Sequence, residues 1–594
     1  MFEVLDFDEY NMIYNFRGSK YSPEDMDELS MDIILNAENP KNYIYCVGLN
    51  YYFFNIIVNL NNLLNYIDVS YNNLNEDDIP LCSYEYIVTD ERKIITLRVR
   101  NRDGKLIVFY NANNMFPNMD RCDVVSTWGS YEEAIKSLLG KTKKYPCTLS
   151  SLAFRRWQSI NNIFAYKPFD CNLMSIGNDS DYKLSDWIRR SYRTGWVEDR
   201  GSIYKEHGKG IILDINSLYP YVMKNYYLPT GNPQEIRDKQ HLKEIMQIPD
   251  RYYFIECNMK FDIKEGSLPY IRIKGDFAYQ KNINLETSRV GKYDRSVNLV
   301  LTKTDLSIIL KNYNVRDFEF IRGFWFYTSN KMFDKYVDYY YERKRNSKTA
   351  GERQTNKLFL NALSGALGKY RQRANLRLAI NGTDMECIPS VVTINAPCYI
   401  HIASAITSIA RYIIYDYATK CKDRFRYSDT DSLHLKGWDI PEFIKVSDEL
   451  GDFKIEHKYL DARYYKKKVY IINDIKKGWI LKCTGVDSKT ARLVELGLNY
   501  SDAPLLVREN TFIGNPKIDW RLLHDCNTDY DEDDEETLVR TGFSKKIREI
   551  IDDIAINGVS SLLDYELPCL SYLSRNWRLY RSYYMRHITD LEGF

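Results

Sequence analysis

At 594 residues the chain exceeds what one ordinary hydrophobic core can hold, so several domains are expected. Its 44% hydrophobic content excludes a disordered chain, and a formal net charge of +1 excludes a uniformly basic wrapper of nucleic acid while leaving room for a local basic groove. Its 12 cysteines include no C-x-x-C pair, which speaks against a zinc site or a disulfide framework and for a reducing, intracellular setting.

The N-terminal MFEVLDFDEYNMI is acidic and lacks the basic start of a signal peptide. The most apolar stretches, 44–64 and 394–415, are interrupted by Asn in the first and by His401 and Arg411 in the second. Neither reads as a membrane span, and a soluble protein without membrane partners is expected. Residues 1–146 mix strand-like runs, IITLRVR and KLIVFY, with Asn-rich connections. GKGIILDINSLYPYVM (208–223) predicts an apolar strand running straight into a helix or turn. Residues 331–370 predict two charged-aromatic helices broken near Gly351, 394–418 a buried helix, and RFRYSDTDSLHL a β-hairpin. The acidic run DYDEDDEE (529–536) reads as solvated loop. Strands and helices alternate without a regular β-α-β period, which points to an α+β fold carrying insertions.

Three stretches carry chemistry. Asp214 ends the strand IILD; taken alone it reads as a turn-forming residue, yet a carboxylate at the end of a buried strand is also well placed to hold a metal. Asp429 and Asp431, separated by Thr430, would share one face of a strand and repel each other unless a cation or solvent intervened. Three carboxylates from two strands can hold two Mg²⁺ ions for phosphoryl transfer, with Mn²⁺ as a substitute, and hard oxygen donors argue against Zn²⁺. In KLFLNALSGALGKY (357–370), Lys357, Asn361, Ser364, Gly365 and Gly368 recur at helical spacing, and Arg353 continues the stripe one turn earlier. A packing face of small residues would look the same in isolation. The runs 339–357 and 463–482 interleave aromatics and cations; because they flank these stretches, they read as groove lining rather than as a solvated face.

Together these stretches resemble the family B DNA polymerases. DINSLYP (214–220) resembles the first palm motif, KLFLNALSGALG (357–368) the fingers motif, YSDTDS (427–432) the second palm hairpin, and KVY (468–470) the K-x-Y motif, all in the family's order. Their compact spacing, and YRTGW (192–196) with Thr194 in place of a Gly, resemble the small protein-primed branch of Bacillus-phage type. The resemblance implies a right-hand polymerase fold and runs from about residue 146 to about 490. Asp214 and Asp429 would bind both catalytic metals, with Asp431 in support. The Leu218 amide would face the phosphates, Tyr219 would stack under the sugar and exclude a 2′-hydroxyl, Lys357 would grip the triphosphate, and Asn361 would position the nucleotide. Lys468 and Tyr470 would hold the primer end, with Tyr192, Gly195, Tyr427 and Thr430 also on the DNA side.

The implied layout is an exonuclease-like domain at 1–146, palm at 147–226 and 394–497, fingers at 331–368, and thumb with a C-terminal extension at 498–594. Residues 227–330 occupy the place of a terminal-protein-docking insertion, and 369–393 that of a strand-displacement insertion. Expected partners are a DNA primer-template, deoxynucleoside triphosphates and a terminal protein acting as primer. The enzyme would work as a monomer in the cytoplasm of the host of a phage or mobile element.

Two departures matter. Ser364 stands where the family has a Tyr against the nascent base pair, which implies looser nucleotide selection. At the N-terminus, Asp6 and Asp8 only approximate the D-x-E of a proofreading site, and Gly48 and Tyr52 fill the N-x-x-x-D positions. A third motif, Y-x-x-x-D, has no clean match: Tyr131 is followed four residues on by Ile135, and Asp123 is the alternative. A degenerate exonuclease domain is therefore expected. The competing readings are a reverse transcriptase or RNA polymerase, disfavoured by D-T-D and by Tyr219, and a catalytically inactive polymerase-derived protein that binds nucleic acid.

Overall fold

The computed structural model of the protein describes, short breaks aside, residues 33–115, 131–271, 296–393 and 397–483, together with three short strands before residue 14. The region 498–594, including the acidic run, lies outside the described residues, as do Asp8, Gly48, Asp123 and the side chains of Asp6 and Tyr52. The chain divides into two compact units. The first is Met1–Arg193, Ser217–Asp262 and Ile271–Ile409, and the second is Thr194–Asn216, Ile263–Tyr270 and Ala410–Phe594.

The apolar run before DINSLYP becomes the central strand of the second unit. Ile211, Ile212 and Leu213 are all buried, without the alternation of a half-exposed strand, because both faces are covered. Seven antiparallel strands lie in the order Val197–Asp199, Phe425–Asp429, Ser432–Lys436, Glu206–Ile215, Phe453–Lys466, Val469–Asp474 and Gly478–Cys483. One core cluster joins Val197, Ile212, Tyr427, Tyr459, Tyr464, Tyr470 and Ile472. Here the abundance of tyrosine has a packing role, since the rings supply large buried area and tilt against one another at 5.2–5.6 Å. The last part of the helix Ile400–Lys420 adds Tyr415 against Trp196 and Tyr417 against Phe453.

In the first unit the expected runs IITLRVR and KLIVFY are adjacent strands, Ile94–Arg100 and Leu106–Asn111, and the latter is buried throughout. They belong to a sheet in the order Phe2–Val4, Lys41–Cys46, Leu106–Asn111, Ile94–Arg100, Ser83–Thr89, Gln372–Asn381 and Asp384–Thr393, with Ile67–Asp68 pairing Ser83–Thr89 off that path. The helix Leu49–Asn62 covers one face with Phe53, Ile56, Ile57 and Leu60. Residues from the 369–393 stretch thus form a hairpin that extends this sheet through Asn375 opposite Thr89 and Leu376 opposite Val88. Within 227–330, four strands make a separate sheet: Leu228–Ile236, Tyr313–Ser329, Arg251–Ile263 and Val297–Thr302. Its helices Lys239–Met246 and Lys303–Asn312 start at Asp238 and Thr302, whose side chains accept from the first-turn amides.

The expected helix pair is Asp334–Arg345 and Ala350–Leu367. The break falls at 346–349 rather than at Gly351, because Thr349 accepts from the Glu352 amide and opens the second helix before the glycine. The helix Leu149–Asn161 holds the pair together: Arg156 Nε donates to the Tyr340 hydroxyl at 3.1 Å, and Tyr340 stacks on Phe359 at 4.7 Å. Among the described residues no helix is long and apolar enough to cross a membrane.

Candidate active site

Asp214 sits one residue before the end of the central strand of the second unit, opposite Ser432 on one side and Lys454 on the other. Its Oδ1 lies 2.6 Å from Lys454 Nζ. The hairpin supplies the other two carboxylates. Asp429 pairs with Ser432, so the chain reverses immediately after Asp429 and Asp431 falls in the turn. The expectation that Asp429 and Asp431 share a strand face is therefore corrected: one ends a strand and the other lies in the connection.

That connection is tight. The Asp431 amide donates to the Asp429 carbonyl at 2.7 Å, closing a three-residue turn around Thr430, which takes a left-handed φ of 65°. Such a φ is unfavourable for a β-branched residue, and contacts on three sides hold it. The Thr430 amide donates to the Trp196 carbonyl at 2.8 Å, its Oγ1 donates to Asp429 Oδ1 at 2.9 Å, and Gly195 lies flat against its side chain. The Asp431 carbonyl in turn accepts from the Ile215 amide at 2.9 Å, tying the turn to the strand that carries Asp214.

Lys468 Nζ reaches both oxygens of Asp429, at 2.7 and 3.0 Å. Its own φ of 69° is also left-handed, and its amide donates to the Tyr427 hydroxyl at 2.7 Å. Tyr427 is fully buried and Tyr470 nearly so, their rings 5.6 Å apart. The two tyrosines expected on the DNA side thus belong to the core beneath Lys468, because the aromatic cluster needs their area.

Burial, then the neighbouring Asp214 and the weaker influence of Asp429, push the Asp431 carboxyl up to about 7, partly offset by Lys454. Asp214 and Asp429 are each paired with one lysine, Lys454 and Lys468. Among the described residues no group of three or more His, Cys, Asp or Glu side chains stands in metal-holding geometry; Asp214 and Asp429 each face an ammonium instead.

The nucleotide-side candidates belong to the first unit. Leu218 opens the helix Leu218–Asn225, and its side chain is buried while Tyr219 is half-buried. The preceding Ser217 adopts a left-handed φ of 54° and makes no side-chain cap, which leaves the first amides of this helix to other acceptors. On the helix Ala350–Leu367, Arg353, Lys357, Asn361 and Gly365 form the exposed stripe. Ser364 and Gly368 do not share it. Ser364 is buried with its hydroxyl donating to the Asn361 carbonyl at 2.9 Å, and Gly368 abuts Tyr192, Ile400 and Ala403, which cover the end of the helix. Periodicity places these residues on one face but cannot see what covers its last turn.

Three participants escaped the sequence reading. Lys344 Nζ donates to Ser217 Oγ at 3.1 Å, and only its membership of the basic run 339–357 hinted at it. Lys454 carried no motif. His434, on the strand after the turn, is fully buried, with Nδ1 2.8 Å from the Tyr464 hydroxyl and Nε2 3.3 Å from Ser432 Oγ.

Burial, aided by the nearby positive charges of Lys482 and Arg426, pushes the His434 ring down to about 3. The unfolded chain takes up this proton near pH 6.5 and the folded chain does not until about pH 3. Stability should therefore fall as pH drops below 6.5, by about 1.4 kcal/mol per unit once the unfolded histidine is charged. Urea denaturation at pH 7.5 and 5.0 should show a loss of roughly 2 kcal/mol from this group, and His434→Gln should flatten the slope by that amount. An unchanged slope would assign the acid sensitivity to other groups.

A family model for organellar and viral DNA polymerase type B matches residues 128–450, more than half of the chain. The DNA polymerase of Bacillus phage B103 is 31% identical over 323 residues, covering 51% of this chain and 53% of that one. The DNA polymerase of Streptococcus phage Cp-1 is 32% identical over 269 residues, 44% of this chain and 45% of that one. The matches thus span about half the length of these relatives. In three dimensions the chain is similar to phi29 DNA polymerase complexed with primer-template DNA and incoming nucleotide substrates, with a TM-score of 0.66 at 20% identity over 82% of this chain and 92% of that one. The α+β fold of the two proteins is therefore the same.

Proposed function

The chain belongs to the organellar and viral type B DNA polymerases, and from that membership we propose that it is a DNA-directed DNA polymerase that extends a primer 3′-hydroxyl with deoxynucleoside triphosphates. The observation that carries the proposal is the convergence of Asp214, Asp429 and Asp431 at one end of an antiparallel sheet, two of them held by lysines.

The donor chemistry of these residues suits two Mg²⁺ ions, with Mn²⁺ as a substitute. The donors are hard carboxylate oxygens, which favour Mg²⁺ over softer metals. Bound there, the ions would supply charge stabilisation to the attacking and leaving oxygens. The protein's own part is positioning: the strained Thr430 turn fixes Asp429 and Asp431, and Lys468, held by Tyr427 above Tyr470, brings a cation to the primer side. We assign the Leu218 amide and Lys357 to the triphosphate, Tyr219 to the sugar, and Asn361 to the nucleotide. Ser364, being buried, would act only through the shape of that helix. Tyr192 and Gly195 are assigned to primer and DNA binding.

The proposed layout is palm at 147–226 and 394–497, fingers at 331–368, insertions at 227–330 and 369–393, and an exonuclease-like domain at 1–146 without proofreading. Priming by a terminal protein is proposed from the similarity to phage polymerases, as is action as a monomer in a host cytoplasm.

One gel tests the reading: a 5′-labelled primer on a longer DNA template with Mg²⁺, with and without the four deoxynucleotides. Extension with nucleotides and an intact primer without them is expected. A shortening ladder in their absence would overturn the loss of proofreading. Failure to extend, with Mn²⁺ and with a terminal protein supplied, would overturn the polymerase assignment in favour of nucleic-acid binding alone.

A further inference from the structure

Lys454 belongs to none of the motifs that mark this site, yet it makes a close contact to one of its carboxylates. Nζ stands 2.6 Å from Asp214 Oδ1, and the two residues are direct partners across adjacent strands. The pair is only partly open to water, with side-chain exposures of 44% for Lys454 and 17% for Asp214.

The backbone on both sides of the pair is fixed. Phe453 is buried against Tyr417 at 4.9 Å and pairs with Ile215. The Asn216 amide donates to the Asp452 carbonyl at 2.9 Å, the Gly451 amide donates to the Asn216 carbonyl at 3.0 Å, and Asn216 Nδ2 donates to the Ser447 carbonyl at 2.7 Å. Lys454 therefore cannot drift along the sheet away from Asp214; only its side chain can swing. This separates it from a surface lysine that meets a carboxylate by chance, where both partners are free to part. The arrangement repeats across the site, since Asp429 has Lys468 as Asp214 has Lys454.

An ammonium at hydrogen-bond distance and a divalent cation at metal-oxygen distance cannot both occupy the same face of one carboxylate oxygen. We propose that Lys454 is an internal counter-ion that competes with the divalent metal for Asp214, lowering the metal affinity of the nucleotide-free protein. The ammonium keeps Asp214 in place while the site is empty and leaves it when the metal enters. This rests on the polymerase reading of the three aspartates, and the test separates the two.

Mn²⁺ binding to the full chain, without DNA or nucleotide, is followed by the loss of the free-ion electron paramagnetic resonance signal, which requires no catalysis. Wild type, Lys454→Met, Lys454→Gln and Asp214→Asn are titrated in parallel. Methionine keeps the aliphatic stem of the lysine, and glutamine provides a second neutral variant should methionine impair folding. Both neutral variants are expected to bind Mn²⁺ roughly three- to tenfold more tightly than wild type, while Asp214→Asn weakens binding. Unchanged or weaker binding by both neutral variants, with Asp214→Asn still losing affinity, would overturn the role of Lys454 and leave the metal site standing. An Asp214→Asn protein that titrates like wild type would instead overturn the metal site, and the role of Lys454 with it.

Discussion

Replacing Asp429 by asparagine is expected to lower single-nucleotide incorporation by at least about a thousandfold, equivalent to roughly 4 kcal/mol of transition-state stabilisation. The substitution is close to isosteric. The amide oxygen of Asn can still accept from Thr430 Oγ1, and the main-chain contacts of the turn, from Asp431 to residue 429 and from Thr430 to Trp196, do not involve the side chain. What disappears is the charge. Lys468 loses the partner it holds at 2.7 Å, and the site loses one of its carboxylates. Because the ion pair is partly exposed, with 43% of Lys468 and 24% of Asp429 accessible, the stability change should stay within about 1 kcal/mol. Activity and stability should therefore separate cleanly. The measurement is rapid-quench incorporation of one nucleotide with Mg²⁺, alongside thermal unfolding and primer-template binding. A variant that keeps a tenth of wild-type incorporation would remove Asp429 from the chemistry. One that loses activity together with its fold would assign the Asp429 charge to holding the turn, which is why the unfolding curve accompanies the rate.

Much of this site is legible in the sequence. The strand-then-helix around Asp214, the hairpin around Asp429 and the helix carrying Lys357 follow from local pattern, because each element is specified by residues close together in the chain. What was misread depended on a single residue of register or on a distant segment. Asp431 left the strand face because the reversal begins at Thr430, and a strained turn at a β-branched residue is not what propensity suggests. Gly368 left the exposed stripe because Tyr192, Ile400 and Ala403 cover that end of the helix, and no helical period reports a neighbour so remote in sequence; Ser364 is buried beside the line of Arg353, Lys357, Asn361 and Gly365. Lys454 was invisible for the same reason, since its meaning comes from a cross-strand pairing with Asp214. The buried Tyr427 and Tyr470 show the opposite case: residues read as functional through a motif that pack first, and act on the site through the lysine they support.

Gly195→Ala should damage the catalytic turn while removing no functional group. A methyl placed there would stand 2.6 Å from both Cγ2 and Oγ1 of Thr430 and 2.8 Å from its Cβ, far inside van der Waals contact. Thr430 has little freedom to yield. Its χ1 is stiff because it is β-branched, its amide is held by the Trp196 carbonyl, its hydroxyl by Asp429, and its φ of 65° is already unfavourable. The turn itself must move, and it carries Asp429 at one end and Asp431 at the other. A displacement on the order of 1 Å at such a site costs about a hundredfold in rate, and overpacking of this kind costs roughly 1–3 kcal/mol in stability. The expected signature is a fall in the maximal incorporation rate with little change in DNA affinity. Relief should come from Thr430→Gly in the same chain, which removes the clashing atoms and accepts the left-handed φ without strain. If Gly195 served instead by letting the DNA backbone approach, the alanine would weaken primer-template binding, leave the bound rate intact, and gain nothing from the second substitution. A glycine in a stretch that resembles a DNA-binding linker would then act as that resemblance implies; recovery by Thr430→Gly would make it the seat on which the catalytic turn rests.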